Sequence, residues 1–207
     1  MYELFILLML MRGPAHGYLI AKVNGDIVGP YGSLSHGRLY PLLARLEQQG
    51  LIESENREHG QQGDRQMRIY HITEAGRRRF HQLMMDTTTK RGDYQHIFPY
   101  KVSGFEFLTP AERLYLIEHY IGYCEAHLNH LYREAEDILH QAFERKRSWP
   151  TERVESILNI IHHWIERWQL DLRWAQQLRE SALQLQAQQE ETAARPIPGG
   201  QQATESH

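Results

Sequence analysis

One stretch, residues 35–52, places the strongest constraint on how this chain can fold. Its sequence is SHGRLYPLLARLEQQGLI. Leucines at 39, 42, 43 and 46 recur at helical spacing, which predicts a helix at about residues 35–49 with one apolar face. Gly50 is a common C-terminal stop for a helix, and Leu51 and Ile52 begin an apolar run typical of a strand. The stretch therefore predicts a packed helix that ends sharply and is followed directly by a strand.

The residues on either side of this helix complete a recognisable order of elements. Helices are predicted before it at about 2–11 and 16–26, the second with apolar positions Tyr18, Leu19, Ile20 and Val23. Strands are predicted after it at about 52–57 and 66–72, with a polar, glycine-containing hairpin loop at 58–65. Thr73 then caps a helix that runs to about residue 89. This order predicts a winged helix-turn-helix in which the hairpin is the wing.

Pro41 is unusual within the predicted helix. It lies six residues past Ser35, the expected N-cap, where a proline removes one helical hydrogen bond. Either the regular helix begins later than Ser35, or its first turn is bent.

Two long helices are predicted in the second half, at about 109–147 and 151–186. Thr109, Pro110 and Glu112 form a strong helix start. Apolar residues follow a 3-4 spacing along both helices, with Asp171 as the one polar exception, and this period is typical of a coiled coil. A second apolar stripe on the later helix comprises Val154, Leu158, Ile165 and Leu172. One face can pack on the preceding helix, and the other most simply packs on a second copy of the chain.

The predicted fold class is mainly α, with two domains. A winged helix-turn-helix with a small β-hairpin wing occupies residues 1–89, and a long-helix dimerisation domain occupies residues 109–187. Residues 90–108 are expected to be a linker or short helix rich in aromatics. Residues 188–207, rich in Gln, Glu, Pro and Gly, are expected to be a disordered tail.

Charge and composition narrow the class of protein. Residues 1–92 contain 12 basic and 9 acidic residues, an excess of three positive charges, whereas residues 93–207 contain 11 and 17. The basic half is the half with the predicted winged helix, which favours a nucleic-acid partner. The single cysteine fits a reducing cytoplasm, and the apolar start of the chain is too short to span a bilayer. No motif of an enzyme or of a cofactor site is present, so we expect neither catalysis nor a cofactor.

The first turn of the helix at 35–49 carries side chains that suit contact with double-stranded DNA. Arg38 is the best candidate for reading bases, because arginine can donate two hydrogen bonds to guanine in the major groove. The other candidates are Ser35, His36 and Tyr40 for phosphates or bases, and Lys22, Arg57, Arg65 and Arg68 for the DNA backbone. Each basic residue alone is more simply explained as solvated surface. The set favours DNA because its members fall on elements that converge on one face of a winged helix.

Three motifs resemble those of PadR-type transcriptional regulators: GYLI at 17–20, LYPLLARLEQQGLI at 39–52 and YHITEAG at 70–76. The close resemblance covers about residues 1–80, and residues 164–178 resemble the last helix of the longer family members. The resemblance implies a homodimer built through C-terminal helices, two wings on DNA, and repression relieved by a small molecule. The chain departs from the family pattern at His16, His36 and Arg38, so the resemblance implies no base preference.

Further residues suggest a site for an effector. Aromatic side chains could line a pocket for a planar small molecule between the two domains, and the candidates are Tyr94, Phe98, Tyr100, Trp164 and Trp168. For any one of them, ordinary core packing is the simpler interpretation.

A metal site is also conceivable on sequence grounds. Cys124, His127 and His130 lie three residues apart on a predicted helix and suit zinc or copper chemically. A lone cysteine on an apolar stripe is more often a small core residue, so we predict no metal site.

Two functions are therefore open. The first is a homodimeric, sequence-specific transcriptional regulator, a repressor that a small molecule releases. The alternative is a helical dimer that senses a ligand or metal, or docks a partner, with little specific DNA binding. Selective binding to its own upstream DNA would distinguish the two.

Overall fold

The chain forms two compact units, residues 1–108 and residues 109–207. A computed structural model describes residues 1–28, 35–57, 67–88, 91–143 and 149–194. The first unit contains α1 (Tyr2–Arg12), β1 (Ala15–His16), α2 (Gly17–Val28), α3 (His36–Gln48), β2 (Ile52–Arg57), β3 (Met67–Ile72), α4 (Glu74–Met85) and α5 (Tyr94–Val102), with 3-10 turns at Arg91–Asp93 and Phe105–Phe107. The second contains α6 (Pro110–Phe143) and α7 (Thr151–Ala194). Across these described ranges, no helix is long and apolar enough to cross a membrane.

The predicted fold class is confirmed: a mainly α chain with a winged helix-turn-helix followed by long helices. Its sheet has one strand more than expected, because β1 pairs antiparallel with β3 and gives the order β1-β3-β2. His16, which we placed at the start of a helix, instead pairs with Ile69 in this strand. The predicted hairpin is present, with Ile52 opposite Ile72 and Arg57 opposite Met67. The loop at 58–66, including Arg65, lies outside the described residues.

The central position of β3 changes the burial expected for its residues. Tyr70 shares a strand face with the exposed Arg68, so alternation alone would place it in solvent, yet its side chain is buried. Strands lie on both sides of β3, and α1 also contacts it. A strand covered in this way has little surface left for water, so simple alternation underestimates its burial.

The helix α3 begins where the N-cap residue was expected. The amides of Arg38 and Leu39 both donate to the carbonyl of Ser35, at 2.9 Å each, so the helix does not start after Pro41. Pro41 lies inside the helix and has no amide hydrogen to donate to the carbonyl of Gly37. The predicted apolar face is present, with Leu39, Leu43 and Leu46 fully buried and Leu42 partly buried.

The junction between α3 and α4 explains the motif at 70–76. The Thr73 hydroxyl donates to the carbonyl of Gly50 at 2.7 Å and accepts from the Gly76 amide at 3.1 Å. Gly50 has a φ of +68°, which favours glycine. A Cβ on Gly76 would lie 2.0 Å from the carbonyl oxygen of Leu51. Only glycine therefore lets α4 start so close to the backbone that precedes β2.

The aromatic segment at 90–108 is part of the first unit and is not an extended linker. It contains α5, and the side chains of Tyr94, Phe98 and Tyr100 are buried. The ring of Tyr100 meets Phe5 of α1 edge-on at 5.7 Å. The division between the units falls after Leu108. The large apolar area of these rings favours burial in the core over exposure in a linker.

The second unit is a pair of long antiparallel helices. Residue pairs across it, such as Glu118–Arg179 and Tyr132–Gln169, run in opposite directions along α6 and α7. The predicted start of α6 is confirmed: the Thr109 amide donates to Glu112 at 2.8 Å, and the Glu112 amide donates to the Thr109 hydroxyl at 3.3 Å. Having 44 residues, α7 is about 66 Å long.

Two helix ends differ from the sequence prediction. α7 continues to Ala194, so residues 188–194 are helical and the predicted disorder is wrong there, whereas residues 195–207 lie outside the described residues. Glutamine, glutamate and alanine are good helix formers, which explains the extension. α4 ends earlier than predicted, at Met85, because the Asp86 carboxylate accepts from the amide and hydroxyl of Thr88 and forms a local turn.

Candidate nucleic-acid interface

The first turn of α3 lies on the surface. Ser35 is exposed at the N-cap and its side chain makes no capping bond. Arg38 and Tyr40 are also exposed. The side chain of His36 lies outside the described residues, although its backbone begins the helix. Since the leucine face of α3 is buried, the opposite face is the one that a ligand can reach.

Tyr40 connects the two helices of the helix-turn-helix. A Cβ on Gly17 would lie 3.1 Å from the Cε1 atom of the Tyr40 ring, so the ring packs directly over the start of α2. Tyr40 still exposes 48% of its surface. Its ring therefore has a fixed position at the edge of the exposed face, and this contact explains why glycine opens the motif at 17–20.

The start of α2 contributes an exposed aromatic residue that the sequence interpretation missed. Tyr18 is 62% exposed and Leu19 is also exposed, although both were assigned as apolar packing positions. Lys22, predicted to contact the DNA backbone, is exposed one turn after Tyr18 and on the same helix face. Helical spacing carried no signal for this, because the buried face is defined by Ile20 together with Asn24, a polar residue whose burial only the structure shows.

The base of the wing is attached to α3 by a small polar cluster. Glu47 accepts a hydrogen bond from the Ser54 hydroxyl of β2 and lies 3.9 Å from the Arg68 guanidinium of β3. Burial raises the pKa of the neighbouring Tyr70, although a hydrogen bond from Arg68 opposes that shift. The Arg68–Glu47 pair is long and exposed, so it contributes little stability and leaves Arg68 available to another anion. Arg57 ends β2, but its side chain lies outside the described residues.

Other arginines of the first unit are held by neighbouring acids. Arg79 of α4 donates to Glu3 at 2.8 Å, and Arg78 lies 3.7 Å from Glu74. Arg45 lies 3.8 Å from Glu3, yet it remains exposed on α3, seven residues after Arg38. This spacing places Arg45 on the same helix face as Arg38. Arg45 is therefore an interface candidate that the sequence interpretation did not include.

The predicted effector residues are divided between the two units. Tyr94, Phe98 and Tyr100 lie in the core of the first unit. In the second unit, Trp164 is exposed and Trp168 is buried. The Trp168 ring stacks on His127, with centroids 4.2 Å apart and an interplanar angle of 5°. An effector pocket formed by this set stays a prediction.

Cys124 and the histidines near it have structural surroundings. Cys124 is fully buried, and burial together with the Asp171 carboxylate raises the pKa of its thiol to about 12. Burial, with a smaller contribution from His130, lowers the pKa of His127, which favours the neutral ring that stacks on Trp168. Within the part of the chain that the structure describes, no group of three or more His, Cys, Asp or Glu side chains is placed to hold a metal ion.

Comparison with known proteins supports the resemblance seen in the motifs. Residues 6–82 match the model of the transcriptional regulator PadR-like family. Among curated proteins, none matches the chain. The segment recognised from the motifs at 17–20, 39–52 and 70–76 is thereby confirmed as PadR-like.

Several solved structures resemble the chain at low similarity. Bacillus subtilis PadR in complex with operator DNA is 19% identical, with 87% of this chain and 96% of that chain covered and a TM-score of 0.37. The same protein in complex with p-coumaric acid is 18% identical, with 87% and 94% covered and a TM-score of 0.35. The protein smu.1604c from Streptococcus mutans UA159 is 19% identical, with 84% and 96% covered and a TM-score of 0.37.

Proposed function

We propose that this chain, whose residues 6–82 match the PadR-like transcriptional regulators, is a homodimeric, sequence-specific DNA-binding regulator and acts as a repressor that a small molecule releases. The observation that carries the proposal is the exposed first turn of α3 within that matching segment. A major groove admits a helix presented in this way.

Each exposed side chain has a distinct role in the proposed complex. Arg38 reads base edges, because its guanidinium can donate two hydrogen bonds to one guanine. Ser35 and Tyr40 donate to phosphates or bases near the start of α3. Lys22 and Arg68 bind phosphates, and Arg68 exchanges its weak contact with Glu47 for a phosphate. His36, Arg57 and Arg65 belong to the same proposed surface from their sequence positions.

The exposed apolar residues of α7 support dimer formation. Four of them lie within roughly one third of the helix circumference and define the α7 stripe: Ile160, Trp164, Leu170 and Leu185. Ile160 is 59% exposed and Leu170 is 60% exposed. The α7 stripe shares no residue with the second apolar stripe predicted from the sequence, of which Ile165 is buried. A second copy of the chain would remove the α7 stripe from water.

A dimer contains two copies of α3, and the distance between them must match the DNA. In a dimer they must reach successive major grooves, about 34 Å apart. A small molecule that changes this separation would weaken operator binding, which is the proposed route from effector to release. The candidate effector site in this proposal is still the aromatic set predicted from the sequence, which comprises Tyr94, Phe98, Tyr100, Trp164 and Trp168.

Fluorescence anisotropy with the upstream DNA of its own gene tests the DNA-binding proposal. We expect binding that is tighter than to a shuffled duplex of equal length and composition, and that weakens steeply between 50 and 200 mM salt, since phosphate contacts release counterions. Equal affinity for the two duplexes, or no binding to either, would contradict the proposal. Either result would favour the helical dimer that senses a ligand or docks a partner.

Analytical ultracentrifugation tests the dimer separately. We expect a dimer at micromolar concentration that Ile160→Lys together with Leu170→Lys converts to a monomer, because the change places charges on the α7 stripe. His162→Lys is the matched control on the far side of α7, and it should stay dimeric. A monomeric wild-type protein, or a double variant as dimeric as the wild type, would contradict an interface at this stripe.

A further inference from the structure

The first unit contains a cavity of about 300 Å³ between α1, α4 and α5. Its walls are formed by Met1, Glu3, Leu4, Arg79, Gln82, Leu83, Asp86, Ile97 and Lys101. This volume is at the lower end of the range for small-molecule sites. Four wall residues are apolar and four are charged, so the cavity offers both an apolar surface and groups that can orient a charged ligand.

Lys101 is the unusual member of the cavity wall. It is only 1% exposed, and its Nζ atom donates one hydrogen bond, to the backbone carbonyl of Asp86. Its other contact is with the face of the Tyr94 ring, whose centroid lies 5.2 Å from Nζ. An ammonium group has three hydrogens to donate. Lys101 therefore has donor capacity that these two contacts do not use, at the wall of a cavity.

The N-terminus of α1 adds positive potential to the same cavity. Met1, Glu3 and Leu4 line it, and the first backbone bond of the helix runs from the Phe5 amide to the Met1 carbonyl. The amides of Tyr2, Glu3 and Leu4 have no acceptor within the helix, and the N-cap residue makes no side-chain capping bond. The partial positive charge at a helix N-terminus favours an anion. Lys101 and α1 thus independently favour the same ligand charge.

The two acidic wall residues are already engaged by other groups. Glu3 accepts from Arg79 at 2.8 Å and lies 3.8 Å from Arg45. The Oδ1 atom of Asp86 accepts from the amide and hydroxyl of Thr88 at 2.9 and 3.0 Å. These contacts reduce the repulsion that either carboxylate would exert on an anion in the cavity.

We propose that this cavity binds a small organic anion, whose anionic group accepts hydrogen bonds from Lys101 and whose apolar body lies against Leu4, Leu83 and Ile97. Carboxylates and phosphate monoesters share this chemistry. The volume limits the body to about one ring. Anion binding is measured without DNA. The cavity can therefore fail to bind an anion while the chain still binds DNA, and it can bind an anion in a chain that does not bind DNA.

Isothermal titration calorimetry with three probes of equal ring size tests the proposal: cyclohexanecarboxylate, cyclohexyl phosphate and the neutral cyclohexanecarboxamide. We expect at least one of the two anions to bind the full-length chain at pH 7 with a Kd of about 1 mM or below, and at least ten times more tightly than the amide. Binding by one anion alone identifies its head group as the preferred one. Equal affinity of anion and amide, or no saturable binding by either anion at ten times that concentration, would overturn the proposal.

Two variants locate the site. Lys101→Met removes the ammonium group while keeping the chain length, and it should weaken anion binding at least tenfold. Arg78→Met removes an exposed cation of α4 that does not line the cavity, and it should leave anion binding unchanged. Leu83→Trp fills the cavity without altering Lys101 and should also abolish binding, which covers the case in which Lys101→Met disturbs folding. Anion affinity that survives both cavity variants would overturn the assignment.

The affinity should also depend on pH. Burial lowers the pKa of Lys101 to about 8, while the Asp86 carboxylate opposes the shift. The other charged groups facing the cavity are Glu3 and Arg79, and the Tyr94 ring covers Lys101 from α5. Anion binding should therefore weaken as pH rises through about 8, and affinity that is constant from pH 7 to pH 9.5 would contradict a role for the ammonium form.

Discussion

The Tyr120 hydroxyl of α6 donates a hydrogen bond to Oδ2 of Asp171 on α7, at 3.1 Å. Asp171 is the residue that interrupts the apolar spacing of α7, and Tyr120 is fully buried against it. Burial raises the pKa of Tyr120, with further contributions from Cys124 and Asp171. The pair forms a polar layer between the apolar faces of α6 and α7. Such a layer favours one alignment of the helices, because any slip would move the partly buried Asp171 carboxylate away from the buried Tyr120 hydroxyl.

Tyr120→Phe should destabilise the second unit by about 1.5–3 kcal/mol, the usual range for losing a hydrogen bond to a charged group. Urea unfolding followed by circular dichroism measures the effect. Tyr132→Phe is the matched control: its hydroxyl accepts from Gln169 at 2.9 Å, but the pair is exposed, so the loss should stay below about 0.5 kcal/mol. Equal losses in the two variants would show that the Tyr120–Asp171 bond contributes no more than a surface contact.

Gly76→Ala should destabilise the first unit strongly, by about 2 kcal/mol or more. The added Cβ would lie 2.0 Å from the Leu51 carbonyl oxygen. That oxygen belongs to the backbone, so the clash can be relieved only by moving α4 away from Leu51. Gly92→Ala meets nothing within 4 Å in the same unit and should change stability by less than about 1 kcal/mol. Thermal unfolding of the two variants makes the comparison, and a Gly76→Ala protein as stable as Gly92→Ala would contradict the close packing.

Arg38→Ala should lower discrimination between operator and shuffled DNA by about 1–3 kcal/mol, since the change removes the proposed base contact. Arg68→Ala should weaken binding to both duplexes about equally and reduce the salt slope by about one. Arg78→Ala removes the same charge from α4, where the arginine pairs with Glu74, and should have the smallest effect. Anisotropy titrations at several salt concentrations separate the three. Identical losses for Arg38→Ala and Arg68→Ala would refute the division into base reader and phosphate contact.

Lys101 should make stability depend on pH. Its pKa is lowered from 10.5 to about 8 in the folded chain, so between these values the unfolded state binds more protons and stability rises with pH. Below pH 8 Lys101 is charged in both the folded and the unfolded state, so the folded chain carries the full free-energy cost of burying that charge. Lys101→Met should therefore be more stable than wild type at pH 7, by about 1–3 kcal/mol, and this advantage should shrink towards pH 10.

Urea unfolding of wild type and Lys101→Met from pH 6 to pH 10 measures that difference directly. Taking the difference removes the contributions of Cys124 and of the buried tyrosines, whose pKa values are raised and which titrate in both proteins. Lys22→Met should give a curve parallel to wild type. A constant difference between wild type and Lys101→Met across this range would contradict a lowered pKa for Lys101.

The sequence predicted the elements whose signals are local. The leucine spacing of α3, the capping box at Thr109 and the hairpin strands all depend on neighbouring residues, and each is present where expected. The PadR-like motifs could be recognised for the same reason, because Gly50, Thr73 and Gly76 meet structural requirements set within one short junction. For the candidate interface, Ser35, Arg38 and Tyr40 are exposed near the start of α3, and their contact with DNA stays a prediction.

Tertiary contacts decided what no local pattern contains. The strand at Ala15–His16 exists only because β3 offers an edge to pair with, and Tyr70 is buried because neighbours cover both sides of its strand. Tyr18 is exposed because packing selects Ile20 and Asn24 for the core. The cavity beside Lys101 requires α1 to meet α4 and α5, although α1 is distant in sequence from the other two helices. Periodicity fixes which face of a helix is apolar, whereas packing partners fix which polar groups are buried and where a cavity forms.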